Sequence, residues 1–200
     1  VQKIFYFHVP SAYAMYLGFG LCAIGSIAYL ISRRPIWDAI AVSSAEVGLV
    51  FALIVLITGP LWARSAWGTF WTWDPRLTTC AIMVVAFGVV LGLRRQIDEP
   101  ARRLTLSSAA TIVAFVNVPI VYLSVKWWRT LHQPYSSPDT VDGSMVTPLR
   151  VAAFGMLFLA TGFVVRRWRQ VNKLLEVEVE ADGALQVGIQ RLEGRGHEEA

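Results

Sequence analysis

Long apolar runs, each closed by basic residues, alternate with short polar or aromatic connections along most of the chain. The runs cover approximately residues 10–32, 39–63, 77–93, 106–125 and 149–165. About 20 apolar residues carry a helix across the hydrocarbon core; the third and fifth runs are short for this, so their ends are open by several residues. In lipid every backbone N–H and C=O has to be satisfied inside its own segment, which makes each run a helix. The pattern therefore predicts an all-α polytopic membrane helix bundle with five spans. Asn117 and Pro119 interrupt the fourth run near mid-depth and predict a kink, its freed backbone groups satisfied by neighbouring helices.

The cationic residues orient these spans. Arg33, Arg34, Arg94, Arg95, Arg102, Arg103, Arg166, Arg167, Arg169 and Lys173 gather on one side; Lys3, Arg64, Arg76, Lys126, Arg129 and Arg150 lie on the other. The richer side is expected to be cytoplasmic. The N-terminus, the connection near residues 64–76 and the long connection 127–148 are then external. An external N-terminus with no cleavable signal in view predicts one further helix ahead of Val1, making six spans. Residues 1–170 form the expected transmembrane domain, and 171–200 a polar cytoplasmic tail. In that tail Glu176, Glu178 and Glu180 alternate with Val177 and Val179, so a short strand pair around Asp182-Gly183 is an alternative to a solvated segment. His197 falls in the tail and reads as solvent-exposed.

Composition sharpens this picture. The chain is 55% hydrophobic and only 16% charged, against about 25% charged in soluble domains. The net charge of +4 resides at the ends of apolar runs, so it signals orientation and a lipid bilayer partner, with no nucleic acid implied. Cys22 and Cys80 each stand alone within an apolar run and read as small buried hydrophobes. No GxxxxGK[ST] loop occurs, which excludes ATP hydrolysis by this chain alone. Glu46, inside the second run, is an intramembrane acid and hence a candidate for function, although it lies near enough to the end to reach the interface.

The chemistry concentrates in Trp67-Gly68-Thr69-Phe70-Trp71-Thr72-Trp73-Asp74-Pro75-Arg76. Tryptophan favours membrane interfaces for ordinary anchoring, but this loop is unusually dense in aromatic rings. On a helical turn Trp67, Phe70, Trp71 and Asp74 would share one face. Asp74 is expected to cap the next helix ahead of Pro75, or to hold Arg76. His8 and His132 are the only histidines outside the tail, and both fall on the aromatic side, His8 at the outer mouth of the first helix. Two imidazoles are too few for zinc, yet they can fill both axial positions of a haem. Aromatic rings would cover the porphyrin faces, and Arg64, Arg76 and Arg129 can pair with its carboxylates.

These residues resemble a known family. Thr58-Gly59, Trp62-Ala63, Trp67-Gly68, Trp71 and Trp73-Asp74-Pro75-Arg76-Leu77-Thr78 are similar to the signature of the tryptophan-rich "WWD" haem-handling membrane proteins. Phe7-His8-Val9-Pro10-Ser11-Ala12, Asn117-Val118-Pro119-Ile120-Val121 and Trp127-Trp128-Arg129-Thr130-Leu131-His132-Gln133-Pro134 narrow the likeness to the cytochrome c maturation protein C (haem exporter protein C) family. It covers roughly residues 1–170. The resemblance implies six spans, an external haem site walled by Trp67, Gly68, Trp71, Trp73, Asp74 and Arg76 with Arg64 and Arg129, and His8 and His132 as axial ligands. Haem b would be transient cargo. The implied partners are an ABC ATPase with its membrane subunit, a small single-span membrane protein and a periplasmic haem chaperone, in a bacterial inner membrane. No catalytic residue is implied. Two other readings compete: a haem lyase attaching haem to apocytochrome, against which the short chain argues, and a structural or channel subunit whose tryptophans only anchor it.

Overall fold

The structure, a computed structural model, describes residues 2–132 and 141–198, the side chains of Gln2, 175–176 and 178–198 excepted. Gln133 and Pro134 of the motif above lie outside the described residues, as does the side chain of His197. The described residues form helices α1 (Gln2–Ser32), α2 (Pro35–Trp67), α3 (Pro75–Arg94), α4 (Pro100–Phe115), α5 (Asn117–Trp127) and α6 (Gly143–Glu198), with no strand among them. Five stretches are long and apolar enough to cross a membrane: Lys3–Ser32, Pro35–Trp67, Pro75–Arg94, Pro100–Trp127 and Gly143–Leu174. The chain is thus an all-α, multi-pass membrane bundle.

Proline sets the starts of several helices. Pro35, Pro75 and Pro100 each occupy the first helical turn, where a missing N–H costs nothing. The end of α2 is made by Gly68, whose φ of 81° closes the helix with an N–H bond to the Arg64 carbonyl at 3.2 Å. That left-handed conformation suits glycine because it has no Cβ.

Two boundaries differ from the sequence expectations, and one predicted break is present. Helix α1 does not begin at Pro10 but runs back to Gln2, with Pro10 inside it. His8 is therefore held on a helical turn, not at a frayed mouth. The fourth span breaks at Val116 into α4 and α5, the predicted kink. Pro119 has no N–H to offer the Phe115 carbonyl, Val116 makes a shorter-range bond to Val113 O at 3.3 Å, and Asn117 Nδ2 donates to Thr79 O at 2.8 Å. Finally, α6 continues as helix through the polar tail to Glu198, across Asp182 and Gly183. The strand-pair alternative is not formed: an isolated hairpin is marginal, whereas a helix satisfies its own backbone.

Packing between the helices relies on small residues and aromatic plugs. A Cβ on Gly18 would lie 2.6 Å from Gly48 Cα, so α1 and α2 approach backbone to backbone there. Below this contact Phe19 of α1 stacks on Phe87 of α3, ring centroids 3.8 Å apart, among Met15, Met83 and Val121. Ion pairs tie the basic end. Asp38, 1% exposed, receives both Nη atoms of Arg94, and Arg94 Nη1 also donates to Ser107 Oγ at 2.8 Å, joining α2, α3 and α4. Glu46 is likewise paired: Arg167 of α6 donates Nε to Oε2 at 2.5 Å and Nη2 to Oε1 at 3.0 Å.

Candidate functional site

At the end of the bundle opposite the Asp38–Arg94 pair, three segments converge: the first turns of α1, the α2–α3 connection 68–74 and the chain 128–132 beyond α5. Asp74 joins the last two. Its Oδ1 accepts the Arg76 N–H at 2.9 Å, the predicted helix cap. Its Oδ2 accepts the Thr130 hydroxyl at 2.6 Å and the Leu131 N–H at 2.8 Å, and Oδ1 lies 3.1 Å from His132 Nδ1. Burial alone would raise the Asp74 carboxyl, but the bonds from Thr130 and Leu131, the neighbouring His132 and the Arg76 N–H hold it below the usual carboxylate range. It is therefore an anion at neutral pH.

His132 sits on this anion. Trp67 meets its ring edge to face at a centroid distance of 5.0 Å, and Trp62 meets Trp67 at 5.3 Å. Burial pushes the imidazole down, Asp74 opposes and Arg76 adds to the lowering, so His132 stays below the ordinary histidine value. A neutral imidazole is the form that binds a metal. His8 is held differently. Its Nδ1 is 2.8 Å from Thr58 Oγ1, and its ring lies beside Gly59, where an added Cβ would stand 3.4 Å from His8 Cε1. His8, His132 and Arg76 are within electrostatic reach of one another.

The aromatic loop does not form a helical turn. Gly68 stops α2, so residues 68–74 run without helix, and Trp67, Phe70, Trp71 and Asp74 do not share a helical face. Thr69 Oγ1 donates to Trp71 O at 3.1 Å, and Trp71 and Trp73 pack edge to face at 6.0 Å. Trp73 is 83% exposed and Phe70 56%; Trp127 and Trp128, edge to face at 5.9 Å, are exposed with Leu131 at the same end. The loop is thus an apolar shelf that continues into the end of α5.

The arginines divide. Arg64 donates Nη1 to the Gly68 carbonyl and lies 5.6 Å over the Phe70 ring, so it holds the loop in place. Arg76 faces inward, beside Tyr16 and within electrostatic reach of both histidines. Arg129 is exposed, one residue ahead of Thr130. Sequence reasoning named Thr58, Thr130 and Leu131 only inside the resembling motifs and gave none of them a role. Thr58 carried a signal through its place ahead of Gly59-Pro60, but its partner is 50 residues away.

Among the described residues no group of three His, Cys, Asp or Glu could hold a bare metal ion. Two imidazoles beside an aromatic shelf suit a metal already ringed by a macrocycle, with only its axial positions open. Comparison with known proteins agrees in kind. The profile of the family described as heme exporter protein C matches residues 1–183. The chain belongs to the heme exporter protein C family. It is similar to heme exporter protein C of Bradyrhizobium diazoefficiens, 37% identical over 185 residues, covering 90% of this chain and 69% of that protein. Heme exporter protein C of Escherichia coli K12 is 33% identical over 177 residues, covering 87% of this chain and 71% of that protein.

Proposed function

We propose that this chain is a haem-binding subunit, not itself an enzyme, that holds haem b as transient cargo on the periplasmic face and passes it to a periplasmic haem chaperone for c-type cytochrome biogenesis. The carrying observation is the pairing of His8 and His132 at one end of the bundle, beside the shelf of Trp67, Trp71 and Trp73, with Nδ1 of each ring engaged by the protein. The name of these relatives, heme exporter protein C, supports a role in haem traffic.

The chain's own groups divide the work. Trp71 and Trp73 offer ring surface to an apolar macrocycle, and aromatic side chains bring large contact areas to such a face. Arg129 is placed at the rim to pair with a propionate, while Arg64 keeps the loop shaped and Arg76 adds positive charge beside the axial positions. When bound, haem would supply the iron that His8 and His132 ligate. The opposite end carries the denser Lys and Arg set, which supports a cytoplasmic position for that end and an external one for the histidine end of a protein in an inner membrane. An ABC ATPase with its membrane subunit and a small single-span protein are the expected partners, on the strength of the family.

The test is the visible spectrum of the purified, haem-loaded protein. His8→Ala and His132→Ala are each expected to shift or weaken the six-coordinate spectrum. Unchanged spectra in both variants would end the bis-histidine reading.

A further inference from the structure

Hydrogen bonding around the two imidazoles decides which nitrogen each one offers. At His132 both neighbours of Nδ1 are acceptors. Asp74 Oδ1, at 3.1 Å, is a carboxylate oxygen. Thr130 Oγ1, at 3.4 Å, has already spent its proton on Asp74 Oδ2 at 2.6 Å. Nδ1 therefore carries the hydrogen and Nε2 is bare. At His8, Nδ1 lies 2.8 Å from Thr58 Oγ1, whose hydroxyl donates to Ile54 O at 2.7 Å. Towards Nδ1 it presents a lone pair, so His8 also carries its hydrogen on Nδ1. Both rings thus offer Nε2 as the ligating atom, and both have the outer partner that metal-binding histidines commonly have.

The two partners are not equivalent. Asp74 is an anion fixed from four directions, by Arg76 N–H, Thr130, Leu131 N–H and His132. A charge-assisted hydrogen bond is roughly twice as strong as a neutral one, and a carboxylate partner raises the basicity of the ring it holds. Thr58 is a neutral hydroxyl that gives its own proton to Ile54 O. Arg76 is within electrostatic reach of both rings. On the reading above, in which His8 and His132 ligate haem iron, we propose that the protein makes them unequal ligands. Asp74 makes His132 the firm axial donor, and Thr58 leaves His8 the weaker one, the bond that opens when haem is passed on. Asp74 and Thr58 are positioning residues: neither touches the iron.

The full chain, haem-loaded in detergent micelles, provides the test through its visible spectrum, its midpoint potential and the rate of haem loss to excess apomyoglobin. Asp74→Asn keeps a capping side chain but removes the charge. It is expected to raise the midpoint potential and to speed haem loss by about 10–100-fold, the usual cost of losing an outer partner. Thr58→Val should change haem loss less, and Asp74→Glu should recover much of the potential. His8→Gly should retain more haem than His132→Gly. The proposal is overturned if Asp74→Asn leaves the potential unmoved, if Thr58→Val has the larger effect, or if the two glycine variants lose haem equally. A different result, no spectral change in either His8→Gly or His132→Gly, would defeat the haem-ligand reading itself and is distinguishable from these.

Discussion

Asp74 shows how much one side chain can organise. As the cap of α3 it contributes about 1 kcal/mol, the usual cost of replacing such a residue with Ala; as the acceptor for Thr130 and Leu131 it also fixes the segment that carries His132. Its pH behaviour follows in sign. The folded carboxyl lies below its ordinary value of 3.8, so its stabilisation is present above that value and is lost as pH falls through the lower folded value. His132 adds in the same direction from a higher range. Because its folded value lies below 6.5, the folded state disfavours the imidazolium, and stability declines as pH drops from 6.5 towards the folded value. Acid is therefore expected to loosen residues 130–132 before the bundle unfolds. Amide exchange at Leu131, corrected for its intrinsic pH dependence, should rise first below pH 6.5, with protection of the α1–α2 core unchanged. Simultaneous loss in both places would contradict this. The capping role was legible locally, since Asp-Pro at a helix start has one common use. The bond to His132 was not, because 58 residues separate the partners.

At the scale of elements, the α1–α2 contact rests on space that only glycine leaves. A methyl group at Gly18 would meet Gly48 Cα at 2.6 Å and Gly48 N at 2.9 Å, both backbone atoms that cannot turn aside. Gly18→Ala is expected to push the helices apart at a cost of about 1–3 kcal/mol, the range for overpacking. Since α1 carries His8 and α2 carries Thr58, it should also weaken their hydrogen bond. Thermal unfolding in micelles measures the first effect; an unchanged midpoint would show that the helices separate freely. The alternation of apolar runs foretold these helices, their number and the kink at Pro119. It missed the first turns of α1 because a proline this close to a helix start removes a single N–H, the one that would have reached the Tyr6 carbonyl, and the helix runs through it. The helical turn on which Trp67, Phe70, Trp71 and Asp74 would have shared a face does not form, because one left-handed residue, Gly68, ends the helix.

Across the whole molecule the two ends are built for different work. One end is locked by the Asp38–Arg94–Ser107 network and by Glu46–Arg167; the other holds the histidines and the exposed aromatic shelf. Asp38 is almost wholly buried, so Arg94→Ala removes the guanidinium that meets both of its oxygens, leaves Arg103 as the nearby cation, and is expected to cost up to about 3–5 kcal/mol. Asp38→Ala combined with Arg94→Ala should cost less than Arg94→Ala alone, because no charge is then stranded. Unfolding of the three proteins in the same micelle checks the order, and a double variant worse than the single would refute it. Apolar run lengths, basic run ends and turn residues already dictated a five-span helical bundle with its histidines and tryptophans on one side, because the lipid constraint acts on each segment separately. Tertiary structure alone brought Thr58 to His8, Asp74 to His132 and Arg94 to Asp38. Those pairings depend on helices from distant parts of the chain meeting in register, and no local pattern encodes that meeting.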